Sequence, residues 1–115
     1  MLYRKHARAV IFANGELADP QAARAIVQPT DTIIAADGGA KHCRALGLMP
    51  RVSVLIGDFD SLAPADLTAF EAAGTRIIRH PARKDQTDLE LALDHALAEG
   101  VDDVIILGAL GGRWD

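Results

Sequence analysis

The segment from Val52 to Ser61 reads VSVLIGDFDS and joins an apolar run to two closely spaced aspartates. Its first five residues, Val52 to Ile56, form an apolar run that is typical of a buried strand. Gly57 then allows a sharp turn, and Asp58 and Asp60 follow two positions apart. In an extended segment this spacing sends both side chains to the same side, where their charges repel unless a cation lies between them or one is protonated. The pair therefore suits a hard divalent cation such as Mg²⁺, although aspartates are also ordinary turn and cap residues.

Strands and helices alternate on both sides of this segment. The apolar runs predict strands over 7–13, 32–36, 51–56, 75–79 and 103–107, and the helical patterns cover 20 to about 28, 40–46, 64–73 and 87–99. Such alternation indicates a parallel sheet with helices on both faces. The expected fold is α/β, an open and mainly parallel Rossmann-like three-layer sandwich, and the 115 residues fit one domain.

Two of the predicted helices have a recognisable apolar side. In the helix over 87–99, the positions spaced for one face are Leu89, Ala92, Leu93, Ala96 and Leu97. Thr87 and Glu90 have the spacing of a capping box, and Gly100 is the expected stop. In the helix over 64–73, one face is predicted to carry Ala63, Leu67 and Phe70.

Composition excludes several classes of protein. The formal net charge is −4 and no block of Lys or Arg occurs, which argues against a general nucleic-acid or membrane surface. No apolar run is long enough to span a membrane, and no signal peptide is visible. The single cysteine, Cys43, cannot form an internal disulfide and falls in a helical pattern, so we expect a buried, inert thiol and a cytoplasmic location.

Glycines and carboxylates concentrate in the segments that follow the predicted strands. Right-handed crossovers place all these segments at one edge of the sheet, which is where open α/β sheets bind ligands. The loops at the other edge carry no such clusters. The segments concerned are Asn14-Gly15, Asp37-Gly38-Gly39, Gly57 to Asp60, Lys84 to Asp88 and Gly108 to Asp115.

The segment from Lys84 to Asp88 supplies a second acidic pair, Asp85 and Asp88. Asp88 opens a predicted helix, where free backbone N–H groups favour negative charge. It therefore has two interpretations: a functional carboxylate facing Asp58, or a residue that only complements the helix dipole. Lys84 and the preceding Arg83 are either phosphate-binding cations or a solvated charge run.

Two glycine-rich segments complete the edge. In Asp37-Gly38-Gly39 the bare backbone at a helix start can approach a phosphate or ribose closely, although no Walker loop or Gly-x-Gly-x-x-Gly fingerprint is present. Near the end of the chain, Arg113 has the forked guanidinium that suits phosphate, and Trp114 has no assignable role. The four histidines are scattered, and for each a surface or structural role is the expected one.

Taken in order, four segments resemble the catalytic domain of thiamine pyrophosphokinase, and the resemblance covers essentially the whole chain. They are Ala36 to Ala40, Gly57 to Ser61, Lys84 to Glu90 and Gly111 to Asp115. The combination of Gly-Asp-Phe-Asp-Ser with Lys-Asp-x-Thr-Asp makes the resemblance specific. The family transfers a diphosphate group from ATP to the hydroxyl of thiamine, giving thiamine diphosphate and AMP, with Mg²⁺.

The resemblance implies a role for each matching residue. Asp58, Asp60 and Asp88 are the implied metal ligands with Asp85 close by, and Lys84 and Arg113 lie near the phosphates. The nucleotide would run along Asn14, Asp37, Gly38 and Gly39. The catalytic set is thus Asp58, Asp60, Asp85, Asp88 and Lys84.

The resemblance also implies what accompanies this domain. Family members continue into a β-rich domain, and thiamine lies between domains of a homodimer. We therefore expect residues 1–115 to form the ATP- and Mg²⁺-binding catalytic domain without the C-terminal thiamine-binding domain. Two alternatives stay open: a related diphosphokinase acting on another alcohol, such as a hydroxymethylpterin, and a non-catalytic nucleotide-binding module.

Overall fold

A computed structural model of the chain describes residues 7–59, 62–79 and 87–109. Within these ranges five strands alternate with four helices and one short 3₁₀ turn, Met49–Arg51. In chain order the main elements are β1 (Arg8–Phe12), α1 (Pro20–Ile26), β2 (Thr32–Ala36), α2 (Gly39–Ala45), β3 (Val52–Gly57), α3 (Pro64–Ala72), β4 (Arg76–Arg79), α4 (Asp88–Ala98) and β5 (Asp103–Leu107). The predicted alternation is confirmed, and the bounds of β2 and β5 are those expected from the sequence.

The five strands form a single sheet in the order β4-β3-β2-β1-β5, and all the pairings between them are parallel. The chain moves outward from β1 to β4 and then returns through α4 to place β5 on the other side of β1. β1 therefore pairs with β2 through Val10 and Ile33, and with β5 through Val10 and Ile105. This confirms the predicted α/β fold with a parallel sheet.

Helices cover both faces of the sheet. On one face, α2 and α3 contribute Ala40, Cys43 and Phe70 to a buried cluster with inward side chains of the strands, and Leu17 and Val27, which flank α1, pack against it. On the other face, Ala92 and Ala96 of α4 pack against a second cluster. The predicted three layers are therefore present, with an aliphatic core on each side.

Cys43 is fully buried, as predicted for an inert thiol. Desolvation by burial raises the pKa of this thiol to about 12, so the reactive thiolate is strongly disfavoured. No helix of the described ranges is both long and apolar enough to cross a membrane.

Two details of the predicted apolar faces are wrong. Leu97 is 56% exposed, and Ala63, before α3, is exposed while its neighbour Leu62 is buried. At 3.6 residues per turn, Leu97 points about 120° away from the direction midway between Ala92 and Ala96. The sheet contacts the alanine side of α4, so Leu97 lies outside the buried stripe.

A partly buried ion pair between Arg8 and Asp31 lies at the amino ends of the strands, opposite the edge that carries the acidic residues. Arg8 donates from Nε and Nη2 to Asp31, at 2.9 and 2.6 Å, and the Gln28 N–H donates to the same carboxylate at 2.7 Å. Burial opposes ionisation of Asp31, but these hydrogen bonds and the charges of Arg8 and Arg51 outweigh it and lower the pKa of the carboxyl. At this edge the buried Asp31 carboxylate is therefore paired with a cation and with a backbone N–H, which stabilises the fold.

Candidate active site

Three carboxylates meet at the carboxyl edge of the sheet. Asp37 follows β2, Asp58 follows β3 and Asp88 opens α4, and one carboxylate oxygen from each lies within 4.8 Å of the other two. All three side chains are partly buried. The structure therefore brings Asp58 and Asp88 together, as expected from the two acidic clusters. It adds Asp37, which the sequence interpretation placed along the nucleotide.

The turn after β3 is held by Asp37. Its Oδ1 accepts a hydrogen bond from the Phe59 N–H at 3.1 Å, and its own N–H donates to the Ile56 carbonyl at 2.7 Å. A Cβ on Gly57 would lie 2.9 Å from the same Oδ1, so glycine is required there for close approach as well as for the turn. Asp37 thus fixes the backbone on which Asp58 stands.

Two residues of this region have left-handed backbone conformations. The φ angle is 47° at Asp37 and 67° at Phe59, and a positive φ is unfavourable for a bulky side chain such as phenylalanine. Buried packing of the Phe59 ring and the Asp37 hydrogen bond hold the conformation in place. Strained backbone that is held by its surroundings is concentrated at functional sites in many proteins.

Arg79, at the end of β4, is a residue that the sequence interpretation missed. Its guanidinium lies 5.0 Å from the centre of the Phe59 ring and donates from Nη1 to the Asp58 carbonyl at 3.3 Å. It therefore places a cation on the same turn as an acidic residue. An arginine at the end of a strand is common, and nothing in the local sequence distinguishes this one. Only the pairing of β3 with β4 puts it beside Asp58.

The predicted capping box of α4 is confirmed. The Glu90 N–H donates to Thr87 Oγ1 at 3.1 Å, and Glu90 Oε1 accepts from the Thr87 N–H at 2.8 Å. These reciprocal bonds satisfy two backbone donors and fix where the helix begins. Asp88 is thereby held in the first turn, beside the ends of β2 and β3.

Asn14 and Asp37 line a cleft of about 330 Å³ together with Thr87, Asp88 and Gly108. The cleft combines backbone of three loops with two of the clustered carboxylates. A cleft between α2 and α3 is larger, about 400 Å³, but it contains none of the clustered acids. The residues that line the smaller cleft, rather than its volume, therefore identify it as the candidate site.

Gly38 and Gly39 are buried and have a packing role that the sequence did not reveal. A Cβ on Gly39 would lie 2.5 Å from the Phe12 carbonyl carbon, and a Cβ on Gly38 would lie 2.5 Å from Asn14 Cγ. The bare backbone therefore lets α2 approach β1 and leaves room for the Asn14 side chain. Whether the two glycines also contact a nucleotide stays a prediction.

Several predicted site residues lie outside the described ranges. These are Asp60, Lys84, Asp85 and Arg113. Their proposed roles stay predictions. Of the predicted site residues, the described ranges contain Asn14, Asp37, Gly38, Gly39, Asp58 and Asp88.

Comparison with known proteins identifies the family. The sequence model of the protein family described as thiamin pyrophosphokinase, catalytic domain, matches residues 23–115 of this chain. The chain belongs to the thiamin pyrophosphokinase family. The matched range contains all four motifs on which the resemblance was based, so that prediction is confirmed.

Solved and curated relatives agree with this assignment. Thiamine pyrophosphokinase of Bacillus subtilis strain 168 is 39% identical over 82 residues, which is 71% of this chain and 37% of that protein. The crystal structure of the enzyme from Bacillus subtilis has a TM-score of 0.73 at 31% identity and covers 92% of this chain. The thiamin pyrophosphokinase family protein from Enterococcus faecalis has a TM-score of 0.72 at 29% identity and covers 93% of this chain. The chain spans 49% of each of these two solved chains, or about half their length.

Proposed function

We propose that this chain forms the ATP- and metal-binding half of a thiamine diphosphokinase. The observation that carries the proposal is the cluster of Asp37, Asp58 and Asp88, brought together from three separate segments in a member of this family. In the proposed reaction the thiamine hydroxyl oxygen forms a bond to the β-phosphorus of ATP. The bond from that phosphorus to the α-phosphate oxygen breaks, AMP leaves, and the hydroxyl proton passes to a base or to water.

The carboxylate cluster fits a small divalent cation. Mg²⁺ binds oxygen at 2.0–2.1 Å, so oxygens on opposite sides of one ion lie about 4.2 Å apart and adjacent ones about 2.9 Å. The three carboxylate oxygens all lie within 4.8 Å of one another. Side-chain rotations that shorten these separations by up to about 2 Å would bring them to the spacing of ligands around one ion. We infer that Asp58 and Asp88 are ligands, that Asp37 contributes an oxygen or positions Asp58, and that Asp60 completes the set. When bound, the ion would neutralise phosphate charge and polarise the phosphorus that is attacked.

The cleft beside the cluster suits the nucleotide. Its lining includes the Asn14 amide, backbone of Gly108 and the carboxylates of Asp37 and Asp88. Phosphoryl transfer depends on positioning and charge neutralisation more than on covalent participation of the protein. We therefore propose that the residues lining the cleft align the phosphates of ATP along this edge of the sheet. Lys84 and Arg113 would neutralise phosphate charge, and Asp85 is a candidate acceptor for the hydroxyl proton.

The proposal extends to the rest of the family's architecture. In it, thiamine binds against a second, β-rich domain, the functional unit is a homodimer, and the protein acts in the cytoplasm. Two observations support this division: the acids and the cleft lie together on this domain, and the three aromatic side chains within the described residues, Phe12, Phe59 and Phe70, are buried in the core. Aromatic faces are the usual partners of rings such as those of thiamine.

The first test is calorimetric titration of the chain with ATP in Mg²⁺ and in a chelator. We expect binding that requires the metal, and Asp58→Asn should weaken it by at least about tenfold because a charged ligand is lost. Asp94→Asn is the matched control, since it removes one carboxylate from an exposed position of α4 and changes the net charge equally. Equal ATP affinity in wild type and Asp58→Asn would contradict the metal assignment.

The second test concerns the acceptor. Thiamine diphosphate and AMP are measured after incubation with ATP and either thiamine or a hydroxymethylpterin, with the Bacillus subtilis relative as the positive control. We expect the chain of 115 residues to bind ATP but to form thiamine diphosphate far more slowly than the relative. A comparable rate would show that the acceptor site lies within these residues, and turnover of the pterin alone would replace thiamine as the substrate.

A further inference from the structure

His42 lies on α2, one helical turn after the contact between Gly39 and β1. Its Nε2 is 2.5 Å from the Gly15 carbonyl oxygen, and the side chain is partly buried. A carbonyl can only accept a hydrogen bond, so Nε2 must carry a proton and the ring is the donor. The bond therefore links α2 to the turn that follows β1.

The same turn is anchored on its other side by β5. The Gly15 N–H donates to the Gly108 carbonyl at 2.6 Å, and the Ala13 N–H donates to the Leu107 carbonyl at 2.8 Å. Gly15 is thus held through its N–H by the segment after β5 and through its carbonyl by His42. Between these anchors stands Asn14, which lines the cleft and packs over Gly38.

We propose that His42 is a positioning residue that sets the Asn14–Gly15 turn for nucleotide binding. The inference rests on the function proposed above, because it concerns the same cleft. His42 is not among the residues that line that cleft, so it acts through Gly15 and Asn14. α2 is independently fixed by the buried Ala40 and Cys43, so loss of the histidine bond should loosen the turn without displacing the helix.

The test compares His42→Leu, which removes the donor, with His42→Gln, whose amide can again donate to the Gly15 carbonyl. The matched controls are the same two substitutions at His95, on the other face of the sheet, where the imidazole lies 3.8 Å from Glu99. Calorimetry measures ATP affinity in Mg²⁺, and NMR measures hydrogen exchange of the Gly15 amide and the tautomer of the imidazole. Circular dichroism verifies that each variant is folded.

In wild type we expect the proton of the neutral ring on Nε2. In His42→Leu we expect the Gly15 amide to exchange about three to ten times faster and ATP to bind about three to ten times more weakly. Changes of this size correspond to the net contribution of a single hydrogen bond. His42→Gln should recover most of both losses, and the His95 variants should resemble wild type. Unchanged exchange and affinity in His42→Leu would overturn the proposal, as would equal impairment of the leucine and glutamine variants.

The two proposals fail in different ways. If wild type does not bind ATP in Mg²⁺, the proposed function is wrong, and the exchange and tautomer measurements still decide whether His42 holds the turn. If wild type binds and His42→Leu binds equally well, the proposed function stands and the positioning role is wrong.

Discussion

A matched pair of glycine substitutions separates packing from function at the start of α2. In Gly38→Ala and Gly39→Ala the new Cβ would lie 2.5 Å from a carbon atom, but the atoms differ: Asn14 Cγ in a side chain for the first, and the Phe12 carbonyl carbon for the second. An ordinary contact begins at 3.4 Å, so each neighbour must recede by at least about 0.9 Å. A side chain can rotate away, whereas the carbonyl of a central strand cannot.

The cost of Gly39→Ala is therefore that of separating α2 from β1. Overpacking a tight core costs about 1–3 kcal/mol, and the better helix propensity of alanine returns at most about 1 kcal/mol. A chain of this length is expected to have about 6–17 kcal/mol of total stability, so the net loss is large enough to measure. Because the new Cβ would meet strand backbone, we expect an overpacking cost of about 2–3 kcal/mol and a net loss of about 1–2 kcal/mol. The melting temperature should therefore fall by about 3–12 °C, since 1 kcal/mol corresponds to about 3–6 °C in a domain of this size.

Gly38→Ala should behave differently. Its φ angle of −61° is available to alanine, so the backbone need not strain, and we expect a loss of stability below about 1 kcal/mol. The displaced Asn14 side chain should instead weaken ATP binding in Mg²⁺. Denaturant unfolding and calorimetry on both variants decide the matter. If Gly39→Ala is as stable as wild type, or if Gly38→Ala is the less stable of the two, the packing argument is wrong.

Four other changes test separate parts of the structure. Thr87→Ala should lower the free energy of unfolding by about 0.5–2 kcal/mol, measured with denaturant, because the helix cap is lost. Asp88→Asn should lower it by only about a few tenths of a kcal/mol and should mainly weaken ATP binding in Mg²⁺. A large loss of stability with unchanged ATP affinity in Asp88→Asn would show that this residue has only a structural role. Asp31→Asn should destabilise the chain by about 1–3 kcal/mol at neutral pH, because buried hydrogen bonds lose their charged acceptor. Because the folded pKa of Asp31 is lowered, its contribution is present above the ordinary carboxyl pKa and is lost as the pH falls through the folded value, so the difference between Asp31→Asn and wild type should shrink in acid unfolding curves. Arg79→Leu should weaken ATP binding in Mg²⁺ more than it lowers the melting temperature, since it releases the turn at the Asp58 carbonyl; the reverse order would make Arg79 a packing residue.

The elements of the fold could be predicted because each carries its own local signal. Thr87 and Glu90 specify a helix start by the bonds that they make to each other's backbone, and the runs around Ile34 and Leu55 are apolar on both sides because the sheet is covered on both faces. The extent of burial was less predictable. Leu97 fits a helical apolar pattern, but only the position of α4 across the sheet decides which side of that pattern is covered.

The site could be predicted in part for the same reason. Parallel topology brings strand ends together, so Asp58 and Asp88 were expected to meet from their places in the chain alone. The roles of Asp37, Gly39 and Arg79 depend on distances between elements: a hydrogen bond to the Phe59 N–H, the approach to the Phe12 carbonyl, and the stacking on a neighbouring turn. No local pattern specifies such contacts, because each depends on two segments that are far apart in the sequence.

The return of the chain through α4 to β5 has a consequence for folding order. β1 and β5 are separated by the rest of the domain, since Arg8 pairs with Asp103, whereas β1, β2 and β3 are joined by short connections. Non-local pairings of this kind form late, because the entropy of closing the intervening loop must be overcome first. A sheet of β1, β2 and β3 can therefore assemble with Asp37 and Asp58 already in place, while Asp88 arrives only with the last crossover. Its arrival adds a third carboxylate to the cluster, so a divalent cation bound there would stabilise the docked position of α4.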